Sequence, residues 1–170
     1  MKTHAKPIEI DFDRLHEVLH YDPLTGIWTW LVRTSTRIHV GDVAGRSDDL
    51  GYVRVKVDGV EYLGHRLAWF YMTGENHPPE LDHKDGHPSH NWFTNIRKAT
   101  RAGNTANTRL RSGKTLPKGV SYRVKTGRYI AQITHKRETI YLGSFATAAE
   151  AHARYIFAAN DLHGQFARAA

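Results

Sequence analysis

A mixed α+β architecture of small antiparallel sheets and short helices is predicted by three features of this 170-residue sequence. Apolar residues alternate with polar ones at period two in short runs, at Val53, Val55 and Val57 and again across 120–142. Other runs repeat at helical spacing, as Phe12, Leu15, Val18 and Leu19 do. Between them stand turn signals, above all Asp58-Gly59, the strongest short hairpin pair. The length suits one medium domain or two small ones.

Taken in order, the first helix is expected over 11–20, ending before Tyr21-Asp22-Pro23-Leu24-Thr25-Gly26, where Pro and Gly take turn positions. Strand-like pieces follow at 27–31, 40–44 and 51–57. Asp58-Gly59 then turns the chain into a return strand at 60–63. A helix containing Leu67, Ala68, Trp69, Phe70 and Tyr71 comes next, with Gly74 as its stop. Residues 75–110 are rich in His, Asn, Asp and Gly, with a helix beginning near Thr100. Residues 109–118 read as a basic linker. Beyond it, Val120, Tyr122 and Val124, then Tyr129, Ala131 and Ile133, then Ile140 and Leu142 mark three strands with one apolar and one polar face. Thr147-Ala148-Ala149-Glu150 is a capping box opening a helix. Its Ala151, Tyr155, Ala158, Ala159 and Leu162 can cover the apolar face, and Gly164 ends it.

The charge is divided unevenly. Residues 1–64 carry a net −2, residues 65–100 a net of zero and residues 101–170 a net +9. A basic C-terminal part points to an anionic partner, and nucleic acid is favoured because no basic helix with a broad apolar face suggests a membrane. There is no apolar run long enough for a membrane span and no signal-peptide pattern. The chain has no cysteine. That excludes a disulfide framework, a Cys-based zinc module and a thiol nucleophile, and fits a reducing cytoplasm.

The polar stretch carries the chemistry. Leu81-Asp82-His83-Lys84-Asp85-Gly86 sets a carboxylate beside an imidazole, followed by turn residues, with Asn95-Ile96-Arg97, Asn104 and Asn107 downstream. Phosphodiester hydrolysis needs an activated water and a stabilised leaving oxygen. A neutral histidine suits the first task, and Asp and Asn oxygens around Mg²⁺ suit the second. A solvated or turn-capping role fits the same residues. His77, His83, His87 and His90 also raise a zinc site. The lack of cysteine and the Asp and Asn at the motif positions argue against it.

The stretch His65-Arg66-Leu67-Ala68-Trp69, then 81–86, Asn95-Ile96-Arg97, Ala99-Thr100 and Asn104-Thr105-Ala106-Asn107 resembles the HNH endonucleases of phages and mobile introns, in the variant with Asn as third signature residue. The upstream 21–26 turn and Gly51-Tyr52 also fit that group. Gly119-Val120-Ser121, Tyr129-Ile130-Ala131-Gln132-Ile133, Leu142-Gly143-Ser144-Phe145 and Thr147-Ala148-Ala149-Glu150-Ala151 resemble the AP2/ERF DNA-binding domain.

The resemblance implies a ββα-metal nuclease core in which His83 is the general base and Asp82 and Asn104 are metal ligands. Asn95 then holds the loop that orients His83, and one divalent ion is bound, Mg²⁺ or alternatively Mn²⁺. Arg66 is a candidate phosphate contact. In the AP2-like sheet, Ser121, Arg123, Gln132, Thr134, Thr139 and Tyr141 are the expected DNA readers, with Lys118 near the backbone. The sequence departs from the family at His90-Asn91-Trp92, where Asp-Asn-Arg is common.

The organisation expected is an N-terminal α+β region at 1–64, an HNH nuclease core at 65–110, a basic linker at 111–118 and an AP2-like domain at 119–170. The function expected is a metal-dependent DNA endonuclease of homing type, acting on double-stranded DNA as a monomer that nicks one strand. It would work in the cytoplasm of a bacterial or phage-infected cell. The alternative is a sequence-specific DNA-binding regulator with a non-catalytic HNH scaffold.

Overall fold

The computed structural model describes residues 7–107 and 115–167. The described residues form a mixed α+β structure of four α-helices and several small antiparallel sheets. The chain divides between Lys98 and Ala99 into two compact units. Of the linker expected at 111–118, residues 111–114 lie outside the described residues.

In the first unit, helix α1 (Phe12–Val18) is capped by Asp11, whose carboxylate accepts the N–H groups of Asp13 and Arg14. It is shorter than the expected 11–20. Leu19 turns extended and opens β1 (Leu19–Tyr21), which pairs antiparallel with β2 (Trp28–Trp30). The strand expected at 40–44 is reduced to one bridge, Thr29 to Val43. Gly41 and Gly45 flank it with φ of 89° and 105°, the region that favours glycine.

A three-stranded sheet follows, β3 (Arg46–Ser47), β4 (Val53–Val57) and β5 (Val60–Leu63), with β4 in the middle. The Asp58-Gly59 turn forms as expected, with both residues at positive φ, the type I′ geometry that matches strand twist. Val55 and Val57 are buried against Leu15, Val18, Leu67 and Ala68. Leu67 and Ala68 belong to α2 (Gly64–Thr73), which Gly74 ends in the left-handed region. The unit closes with a hairpin of β6 (Leu81–His83) and β7 (Ile96–Lys98), joined by the polar 84–95 loop.

The second unit begins with α3 (Arg101–Ala106), capped by the Thr100 hydroxyl. Its sheet is β8 (Val120–Arg123), β9 (Arg128–His135) and β10 (Glu138–Phe145), with β9 central. Val124 is not on the apolar face, because it falls in a 3-10 turn and is 83% exposed. Ile130, on the face expected to be polar, is buried. A register shift between Tyr141 and Gly143 adds a bulge to β10. Helix α4 (Ala148–His163) buries Ala151, Tyr155, Ala158 and Ala159, and Tyr155 packs with Ile133 and Leu142. Gly119 lets that ring in, since a Cβ there would lie 1.9 Å from Tyr155.

The capping box at the start of α4 is complete: Thr147 accepts from the Glu150 N–H, and Glu150 accepts from the Thr147 N–H. Thr147→Ala is expected to destabilise the second unit by about 1 kcal/mol. Urea denaturation would read this as a lower midpoint with an unchanged slope.

Candidate functional site

The β6–β7 register sets Asp82 opposite Arg97 and His83 opposite Ile96. Successive strand residues face opposite sides. Asp82 accordingly meets its cross-strand neighbour: Arg97 donates to Asp82 Oδ2 from Nε at 2.9 Å and from Nη2 at 2.6 Å. Both side chains are largely buried, which makes this a strong, charge-assisted pair.

His83 turns instead to a buried aromatic corner. Its ring lies 4.8 Å from His65, edge-on, and 6.3 Å from Tyr52. Its Nε2 is 2.9 Å from the amide oxygen of Asn91, itself only 1% exposed. With the amide oxygen facing the ring, this bond requires the proton on Nε2 and leaves Nδ1 as the basic nitrogen. Burial pushes the His83 pKa below the ordinary histidine value, and the Asn91 bond and the nearby Asp85 and Asp82 charges only partly oppose it. The ring is therefore neutral at pH 7, as a general base requires. His65 is driven further down by burial and by the His83, Arg66 and His77 charges. Its Nδ1 has no hydrogen-bond partner among the described residues.

Asn91 was not among the residues singled out from the sequence, yet it holds the imidazole. Its backbone carbonyl accepts from the Tyr21 hydroxyl at 2.6 Å. Its side chain lies where a Cβ on Gly64 would come within 3.1 Å of Nδ2, so the glycine at the start of α2 makes room for it.

Asn95 knits the loop that follows His83. Its amide nitrogen donates to Asp85 Oδ1 at 3.0 Å and to the His90 carbonyl at 2.8 Å, and its amide oxygen accepts the Asp85 N–H at 3.1 Å. His90 donates from Nδ1 to Asp85 Oδ2 at 2.6 Å and stacks between His87 and Trp92. Trp92 thus ends a short column of rings.

The other expected site residues are placed as follows. Arg66 is half-buried, with Nη1 3.2 Å from both ring nitrogens of His77. Asn104 lies on α3, in the second unit. Among the described residues no cluster of three or more His, Asp or Glu is spaced to hold a metal. A divalent ion at Asp82 would share that carboxylate with Arg97 and draw its other ligands from amide oxygens, phosphate and water. Such hard oxygen donors are what Mg²⁺ takes.

In the second unit, the sheet register puts Ser121, Arg123, Gln132, Thr134, Thr139 and Tyr141 on one face, all exposed. Arg128, which the sequence reading passed over, shares that face directly opposite Arg123 and donates to Ser144 Oγ at 2.9 Å and to its carbonyl at 2.8 Å. Lys118 is partly buried at the sheet margin, its carbonyl bonded to His152 Nδ1 at 3.1 Å.

No protein-family model matches the sequence, and no curated protein matches it significantly.

Asp85 gives the site a measurable acid limit. Burial disfavours its charge, but the His87 N–H, the Asn95 amide and His90 outweigh it and hold the carboxyl down to about 2. A depressed carboxyl stabilises the fold above its ordinary pKa of about 4, and that contribution is lost as pH falls through the folded value. The 84–91 loop should therefore loosen between about pH 4 and pH 2. Amide exchange across the loop would show this, and Asp85→Asn should remove the acid-dependent step.

Proposed function

We propose that this chain is a metal-dependent DNA endonuclease that hydrolyses phosphodiester bonds and nicks one strand at a time. The observation that carries the reading is His83: a buried, neutral imidazole with its tautomer set by Asn91, one residue from a carboxylate. Such a ring can take a proton from an attacking water at pH 7. Asn95 acts by fixing the loop that follows His83. By the resemblance, Asp82 and Asn104 would each be an oxygen donor to a divalent ion, Mg²⁺ or Mn²⁺. A bound divalent ion stabilises the developing charge on the leaving oxygen.

The second unit supports a double-stranded DNA substrate. Its polar sheet face displays two arginines with Ser, Thr, Gln and Tyr, groups able to contact phosphates and base edges. The net +9 of residues 101–170 favours the same partner. One such base and one such carboxylate per chain suit a monomer that cuts a single scissile phosphate per visit.

One observation favours a second reading, a DNA-binding regulator in which the β6–β7 hairpin is only scaffold. The Asp82 carboxylate is already engaged by Arg97 in a largely buried pair. Both readings share the DNA and differ in turnover.

Supercoiled plasmid incubated with the protein and Mg²⁺ decides between them. Nicking predicts open circle with Mg²⁺ and none with chelator. His83→Ala should keep DNA binding and lower the rate roughly 10²–10⁴-fold. Wild-type turnover in that variant would remove His83 from the reaction, and binding without any nicking would favour the regulator.

The reader face has its own test. Arg123→Ala should weaken DNA binding across sequences and reduce the slope of log affinity against log salt by about one, with thermal stability unchanged. Salt titration of binding by fluorescence anisotropy measures it, and an unchanged slope would take Arg123 out of the interface.

A further inference from the structure

The turn Tyr21-Asp22-Pro23-Leu24-Thr25-Gly26 stands out in the sequence but has no part in the chemistry described so far. It bonds to itself at one end: the Asp22 carboxylate accepts from the Leu24 N–H and the Thr25 hydroxyl, and the Gly26 N–H returns to the Asp22 carbonyl. Apart from the pairing of Tyr21 with Trp28 and the packing of its ring on Trp28 and Tyr71, its long-range hydrogen bonds fall on one short segment, 91–93. The Tyr21 hydroxyl donates to the Asn91 carbonyl at 2.6 Å. The Pro23 carbonyl accepts the Phe93 N–H at 2.8 Å. Gly26 has φ of 76°, and a Cβ there would lie 2.3 Å from the Asn91 carbonyl carbon and 2.4 Å from the Trp92 nitrogen.

A bare glycine, a proline carbonyl and a buried phenol thus grip the backbone on which the Asn91 amide is mounted. That amide sets the ring of His83. Tyr21 is 1% exposed, and its burial pushes the phenol pKa up, so the hydroxyl stays a donor.

We propose that the 21–26 turn is a positioning brace for His83, acting at a distance through Asn91. The inference rests on the nuclease reading for its consequence but not for its geometry. A shift of Asn91 by even part of an ångström would let the imidazole rotate, and misplacement on that scale is costly to turnover. Substrate binding involves other surfaces, so the loss belongs in kcat.

The test uses the full chain with ¹⁵N-labelled histidine and the plasmid-nicking assay side by side. Tyr21→Phe removes only the hydroxyl and keeps the ring. Gly26→Ala and Gly41→Ala form a matched pair, since both impose a side chain on a left-handed backbone, but nothing lies within 4 Å of a Cβ at Gly41. Tyr62→Phe removes a hydroxyl from the same core away from Asn91.

Tyr21→Phe and Gly26→Ala should shift or broaden the His83 ring signals and lower kcat roughly tenfold, with KM for DNA within about twofold. Gly41→Ala and Tyr62→Phe should leave the His83 signals in place. His83 signals unmoved in Tyr21→Phe and Gly26→Ala overturn the brace, whatever happens to kcat. Equal shifts in Gly26→Ala and Gly41→Ala overturn it too, because strain alone would then explain them. If the His83 signals move as expected while the wild-type chain does not nick, the brace stands and the nuclease reading falls.

Discussion

The hydrogen bond from His83 to the Asn91 amide is the constraint around which the first unit is arranged. A buried asparagine is costly unless its polar atoms find partners; here the amide oxygen and the backbone carbonyl are both used, while Nδ2 has no partner among the described residues. Satisfying them requires Tyr21 from β1, room beside Gly64 at the head of α2, and a loop held in shape by Asn95. Each lies on a different element. The apolar core of α1, β4 and α2 serves to bring those elements to one place. Removing the amide would leave the imidazole without the bond that selects its tautomer.

The hairpin that carries His83 also carries its opposite in electrostatic terms. Strand alternation directs Asp82 to a cation and His83 to an apolar corner. Two neighbouring residues thereby acquire different characters, one a charge locked in a pair, the other a base kept neutral by desolvation. The Arg97 pair is also the point at which a catalytic and a structural use of this hairpin would diverge.

Much of this was legible in the sequence where the determinants are local. Asp58-Gly59, Gly74 and the Thr147–Glu150 box act within a few residues of themselves, and each forms as read. The alternation across 120–142 found the three-stranded sheet, and register placed Ser121, Arg123, Gln132, Thr134, Thr139 and Tyr141 on one exposed face. Local signals failed where geometry interrupts a pattern. Val124 continues the alternation in sequence but sits in a 3-10 turn closed by Gly127, and Val43 lies between two left-handed glycines. Asn91 was invisible for a different reason: its meaning depends on Tyr21, 70 residues away, and on a glycine whose importance is that it lacks a side chain. The Asp82–Arg97 pair likewise needed the strand register. The resemblance gave Asp82 as a ligand and said nothing of the cation beside it.

The account turns on His83 being a neutral base with its proton on Nε2. A long-range ¹H–¹⁵N spectrum of the wild-type chain at pH 7, labelled at histidine, reports that state directly. The account requires one sharp His83 pattern with Nε2 protonated and Nδ1 not. A His83 found as imidazolium, or with the proton on Nδ1, would contradict it, because the Asn91 bond would then not set the tautomer and the basic nitrogen would be the wrong one.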